Sequence, residues 1–145
     1  MSKKKKYLLL FLIGVVLVIA GAGYYFYNKP VIDVKNADGD KVSAMELYST
    51  FTKDSVKAKK DYTHKILEVS GMVSLVTKNQ QQQPVLLLKT NTEGAAVNCT
   101  LEGPVGDVKA GTTVNIKGIC NGIGEGDADL GIAGDVYLIR CYVVK

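Results

Sequence analysis

Twenty-one consecutive residues without a charge, Tyr7 to Tyr27 (YLLLFLIGVVLVIAGAGYYFY), narrow what this chain can become. About 20 apolar residues in a helix span the ~30 Å hydrocarbon core of a bilayer, and this run is long enough to do so. Lys3, Lys4, Lys5 and Lys6 precede it, and basic flanks of a span stay on the cytoplasmic side. The expected topology is single-pass, with the N-terminus inside and everything after Asn28 outside the cytoplasm. Tyr24, Tyr25, Phe26 and Tyr27 suit the outer interface, where rings sit among acyl chains and hydroxyls reach water. Cleavage after Ala22, in the small-residue stretch Ala20-Gly21-Ala22, is the competing reading, because a basic segment followed by an apolar run also makes a signal peptide. The run continues past that site through four aromatics, which favours an uncleaved anchor over cleavage and over a buried core helix. No cysteine lies near its end to carry a lipid.

The same four lysines account for the charge. The chain has 18 Lys+Arg against 14 Asp+Glu, a net +4, and the basic residues from Lys29 onward balance the acidic ones. The exported part is therefore electroneutral, which weakens any inference from basicity to a nucleic-acid partner.

Residues 28–42 have the marks of a linker: Pro30, Asn36, Gly39 and three aspartates interrupt any period. Ser43-Ala44-Met45-Glu46 matches a capping box and predicts a helix over 44–61, with Leu47, Phe51, Ala58 and Tyr62 on its inner face and Lys53, Lys57 and Lys60 in solvent. The period then changes toward two. A first strand over 65–78 alternates Leu67, Val69, Gly71, Val73 and Leu75; further strands come at 85–90, 95–101, 113–120 and 135–145. One helix and five strands with turn-rich links predict a small barrel or sandwich with an attached helix.

Several of these segments together, "AMELYSTF", "DYTHKILEVSGMVSLV", "VNCTL", "KAGTTVNIKGIC" and "LIRCYVVK", resemble the tRNA_anti-like family of membrane-anchored bacterial proteins. The resemblance covers 43–145 and implies an all-β, five-stranded OB-fold-like barrel behind a single transmembrane helix in the bacterial cytoplasmic membrane. OB-folds often carry a helix between strands three and four; here "EGPVGDVKAGT" is too rich in Gly and Pro to form one.

OB-folds bind through strands two and three and the loops joining strands one–two and four–five. The candidate binding loops are thus Lys78, Asn79, Gln80, Gln81, Gln82 and Gln83, and the Gly/Asp segment with Glu125, Asp127 and Asp129. Single-strand binding needs aromatic platforms and a basic groove. Strand two has one lysine and no aromatic, strand three has neither, and Tyr137 and Tyr142, five apart, fall on opposite faces of a regular strand.

Cys99, Cys120 and Cys141 lie one on each of the last three strands with core parity, as buried thiols or as one disulfide plus a free thiol, with three pairings open. A tight hairpin would set Cys120 opposite a residue near Gly134. No C-x-x-C occurs and His64 is the only histidine, so neither a metal site nor a nucleophile–base pair is expected. Glu125, Asp127 and Asp129 start like a calcium loop, but Leu130 and Val136 stand where Gly and Glu are required. The expectation is a non-enzymatic, cofactor-free binding module. It contacts membrane lipid through its helix and another envelope protein or a small or oligomeric ligand through its barrel. A nucleic-acid-binding OB domain is the alternative.

Overall fold

The computed structural model describes residues 2–29, 32–127 and 129–144; Pro30 and Lys145, named above in the linker and the last strand, lie outside them. The chain divides into two compact units, 1–32 and 33–145.

The first unit is helix α1, Lys3–Tyr27, about 37 Å long at 1.5 Å per residue. The lysines form its first turn instead of preceding it. Cations there oppose the helix macrodipole, so they do not serve helix stability. None of its residues is buried, which removes the core-helix reading. Lys29 Nζ lies 4.8 Å from the centroid of the Phe26 ring.

The second unit runs β1 (Asp40–Ser43), α2 (Ala44–Lys53), α3 (Ser55–Tyr62), β2 (Ile66–Lys78), β3 (Pro84–Lys89), β4 (Ala96–Leu101), β5 (Thr113–Ile123) and β6 (Val136–Val144). Strands pair in the order β2-β3-β4-β6-β5, and β5 returns to β2, closing the five-stranded barrel of an OB-fold. Only the β4–β6 pair within the barrel is parallel. Its interior holds Leu67, Val69, Leu86, Leu88, Val97, Ile116 and Leu138, all without exposed surface.

Four expectations change. The linker is shorter: Val34 and Val42 are buried, Asp33 accepts hydrogen bonds from Asn36, and β1 pairs in parallel with the start of β2. The helix expected over 44–61 is two helices. Ser43 Oγ accepts from the Glu46 amide at 3.1 Å and starts α2; Asp54 then leaves helical geometry (φ −146°, ψ 85°) and caps α3 by accepting from the Lys57 amide at 3.0 Å. Asp competes for backbone donors as a cap better than it serves a helix interior. The break lets Leu47, Phe51 and Ala58 all reach the core.

The alternation in β2 does not run through. A bulge at Ser74 shifts the ladder between Val73 and Leu75, and Ser74 Oγ donates to the Leu87 carbonyl at 3.0 Å. One inserted residue reverses every later side chain: Leu75 turns outward, 50% exposed, and Val76 packs against the core. A second shift lies in β6, where Arg140 has φ +54°. Ile139, expected inside with Cys141, is instead exposed.

Gly118 makes the second shift possible. A Cβ there would stand 2.5 Å from Cys141 Sγ and 3.2 Å from the Ile139 carbonyl. Gly118→Ala is expected to destabilise the barrel by about 1–3 kcal/mol, measured by chemical denaturation. Because the clash is with Cys141, the Gly118→Ala/Cys141→Ala double variant should lose less than the sum of the two single changes.

Candidate functional site

A third register shift lies in β5 between Cys120 and Gly122, but the bulges at Ser74 and Arg140 determine what the barrel displays. Beyond Ser74 the outward side chains of β2 align with those of β3, and the register carries the row across the sheet as Leu75, Leu87, Asn98 and Tyr137. Val85 and Thr100 form the adjoining pair. Tyr137 is 40% exposed and Ile139 39%. The outward face of β2, β3, β4 and β6 thus mixes aliphatic Leu75, Leu87 and Ile139 with the polar Asn98 and Thr100 and with Tyr137, while Val85 on the same parity is buried. Lys89 flanks it at the end of β3.

The expectation that Tyr137 and Tyr142 point to opposite faces is overturned. Five residues reverse the face only in a regular strand; the extra residue at Arg140 restores it. Cys141 is buried, so Tyr142 faces outward beside Lys117, its ladder partner. One carboxylate holds this corner. Arg140 Nε donates to Glu102 Oε1 at 3.3 Å and Tyr142 hydroxyl donates to Glu102 Oε2 at 2.8 Å. That hydrogen bond, with a smaller contribution from desolvation, raises the Tyr142 pKa above the usual phenol value. Glu102 was not singled out from sequence, because its partners are 38 and 40 residues away.

The proposed binding loops have unequal freedom. Asn79 Oδ1 accepts from the amides of Gln81 and Gln83 at 3.0 and 2.9 Å, and Asn79 Nδ2 donates to Gln83 Oε1 at 3.0 Å. Asn79 and Gln83 thus build the turn, with Gln82 in left-handed geometry (φ +63°). The side chains of Lys78, Gln80, Gln81 and Gln82 stay exposed. In the other loop, Asp127 Oδ1 accepts from the amides of Asp129 and Leu130 at 3.0 and 3.2 Å, while Asp127 and Ile132 exchange two backbone hydrogen bonds at 2.8 Å. This carboxylate folds its own turn and does not converge with Glu125 and Asp129. Among the described residues no three His, Cys, Asp or Glu side chains converge to hold a metal ion. The two loops adjoin opposite ends of β4, so the outward face lies between them.

The loop over 124–135 also sets the β5–β6 register. It carries a small bridge of its own, and Asp135 Oδ1 accepts from the Ala96 amide at 2.9 Å. Cys120 therefore faces Leu138, and not a residue near Gly134. All three cysteines are free and buried. Cys99 Sγ donates to the Val97 carbonyl at 3.8 Å, and the neighbouring Cys99 thiol together with burial holds the Cys141 pKa well above the usual thiol value. Desolvation raises Cys120 in the same direction. His64 is an exposed junction residue at φ +65°, whose amide donates to the Cys120 carbonyl at 2.8 Å.

The thiolate is the nucleophile, so raised pKa and burial both slow alkylation. The folded protein at pH 7.5 is expected to leave all three thiols unmodified by iodoacetamide over an hour, and the unfolded, unreduced protein to expose all three. Mass spectrometry counts the adducts, and a native count above zero would contradict this placement.

The sequence model of a family described as tRNA_anti-like matches residues 1–129. No curated protein matches the chain significantly. Among solved structures the chain is similar to a candidate nucleic acid-binding lipoprotein from Klebsiella pneumoniae subsp. pneumoniae. The identity is 17% and the TM-score 0.53, covering 81% of this chain and all of that one. It is also similar to a candidate aspartyl-tRNA synthetase from Leishmania major Friedlin, at 10% identity and a TM-score of 0.42, covering 81% of this chain and 23% of that one.

Proposed function

The chain belongs to the tRNA_anti-like family, and from that premise we propose that it is a membrane-tethered OB-fold binding module with its barrel outside the cytoplasm. The observation that carries this reading is α1: apolar all round, with no residue buried and with the lysines in its first turn. Eleven Leu, Ile, Val and Phe residues fall between Leu8 and Ile19. At about 0.3–0.6 kcal/mol each, they favour insertion by roughly 3–7 kcal/mol. Four lysines placed against the helix dipole have a better account as an orientation signal than as a stabilising feature.

Binding is assigned to the outward face of β2, β3, β4 and β6 and to the exposed loop residues Lys78, Gln80, Gln81, Gln82, Glu125 and Asp129. A mixed aliphatic and polar surface without a basic groove suits another envelope protein or a compact ligand, and the module is non-enzymatic in this reading. Fusions at Lys145 test the topology: a C-terminal alkaline phosphatase should be active and a C-terminal GFP dark. Replacing Lys3, Lys4, Lys5 and Lys6 by Glu should shift molecules toward the reverse orientation. Intact-mass analysis of the wild-type protein should find α1 retained; loss of residues 1–22 would replace the anchor with a cleaved signal, and a bright GFP would overturn the outward placement.

Nucleic-acid binding is the second reading. One observation favours it: Tyr137 and Tyr142 share a face, with Arg140 between them. The similar Klebsiella protein carries that description. Against it, β3 and β4 present no aromatic, Glu102 occupies both Arg140 and the Tyr142 hydroxyl, and the exported charges balance. The full chain in neutral nanodiscs is expected to show no micromolar affinity for a single-stranded oligonucleotide. Binding that weakens at least tenfold between about 50 and 200 mM salt would establish the second reading instead.

A further inference from the structure

The connection from β4 to β5, residues 102–112, contains no helix. Gly106 and Gly111 take φ of +64° and +91°, and the loop closes the end of the barrel with Val105 and Val108 packed against the core. A turn-rich loop covers less area than a helix in that place would. What it leaves is a cleft of about 860 Å³ between the loop, the turn at Lys35–Asn36 and the adjacent ends of β5 and β6. This is within the ~300–1,000 Å³ typical of small-molecule sites.

The lining has two chemical parts. Val105, Val108 and Val143 supply apolar wall, and the Tyr142 ring lies over Gly103, where a Cβ would come within 3.1 Å of it. Because the Tyr142 hydroxyl is donated to Glu102, what it offers the cleft is ring surface. Lys35 and Lys117 supply charge from two different elements of the lining, one from the turn before β1 and one from β5. Among the described residues neither is in an ion pair; the one ion pair joins Arg140 to Glu102. Glu68 faces Lys117 across the β2–β5 ladder without reaching it, and Asp107 is the one acid on the lining. Ammonium groups beside apolar wall attract an anion more strongly than the same groups in open water.

We propose that this cleft binds a small organic anion, with a compact aromatic body against the valines and the Tyr142 ring and one phosphate or carboxylate between Lys35 and Lys117. The site is separate from the outward face of β3 and β4, and it stands whichever side of the membrane the barrel occupies.

Nuclear magnetic resonance on the full ¹⁵N-labelled chain in phosphatidylcholine nanodiscs tests it, with phenyl phosphate, benzoate, phenol and inorganic phosphate as probes. Phenyl phosphate or benzoate should give saturable shifts at the amides of Gly103, Gly106 and Lys117, and the tighter of the two identifies the anionic group. Phenol and inorganic phosphate should each bind at least about tenfold more weakly, because each meets half of the site. Lys35→Gln and Lys117→Gln should each weaken the anion about tenfold while leaving phenol unchanged. Both replace surface side chains, and unchanged resonances elsewhere report that the fold is intact. No saturable shift up to about 10 mM, shifts confined to another face, or equal affinity in the lysine variants overturns the proposal.

Discussion

The architecture depends on β2 having three partners. Its first half pairs with β1 on one edge and β5 on the other, and its second half pairs with β3. A flat strand cannot serve both ends of a five-stranded sheet that returns on itself; it has to bend where the partners change. Gly71 stands at that place, and a Cβ there would approach the Ala44 side chain at 3.0 Å. The start of α2 thus rests where β2 turns. Ser74 comes next, with the bulge that passes the strand over to β3. Closure removes the sheet edges that a five-stranded fragment would otherwise expose.

Bending has a consequence for the surface. Each bulge exchanges inside for outside along the remainder of its strand, so the displayed face is a product of closure. Leu75 is outward because Ser74 is inserted, and Tyr142 shares a face with Tyr137 because Arg140 is. Gly118 accommodates the second insertion by leaving room for Cys141. The Cys141 thiol, the Arg140–Glu102 pair and the Tyr142 hydroxyl are all set by this one local irregularity.

Much of the fold was legible along the chain. The Ser43 cap, the period-two strands, the core parity of Cys99 and Cys120 and the helix-free segment after Leu101 are local properties, in which neighbours along the chain dictate the outcome. The failures share a cause. Alternation correctly placed Leu67, Val69 and Val73 and then misplaced Leu75; counted back from Cys141, it put Ile139 inside and Leu138 outside, the reverse of what the structure shows. A bulge adds one residue without a strong local signature, and counting by twos cannot see it. The helix break at Asp54 had a local signal, a cap-forming Asp-Ser inside an otherwise continuous pattern. Turn composition marked the segments after Lys78 and before Val136 as loops, although β5 runs on to Ile123, and the roles of Asn79 and Asp127 as turn-builders depend on which amides come near.

Composition and order along the chain were enough for the apolar helix, its basic lead and the all-β character of the barrel strands, because each is a sum over neighbouring residues. Which residues meet was decided only in three dimensions. Glu102 with Tyr142 and Asp135 with Ala96 are joined by barrel closure across tens of residues. No periodicity encodes such contacts, since the energy that selects them is the burial of one shared core.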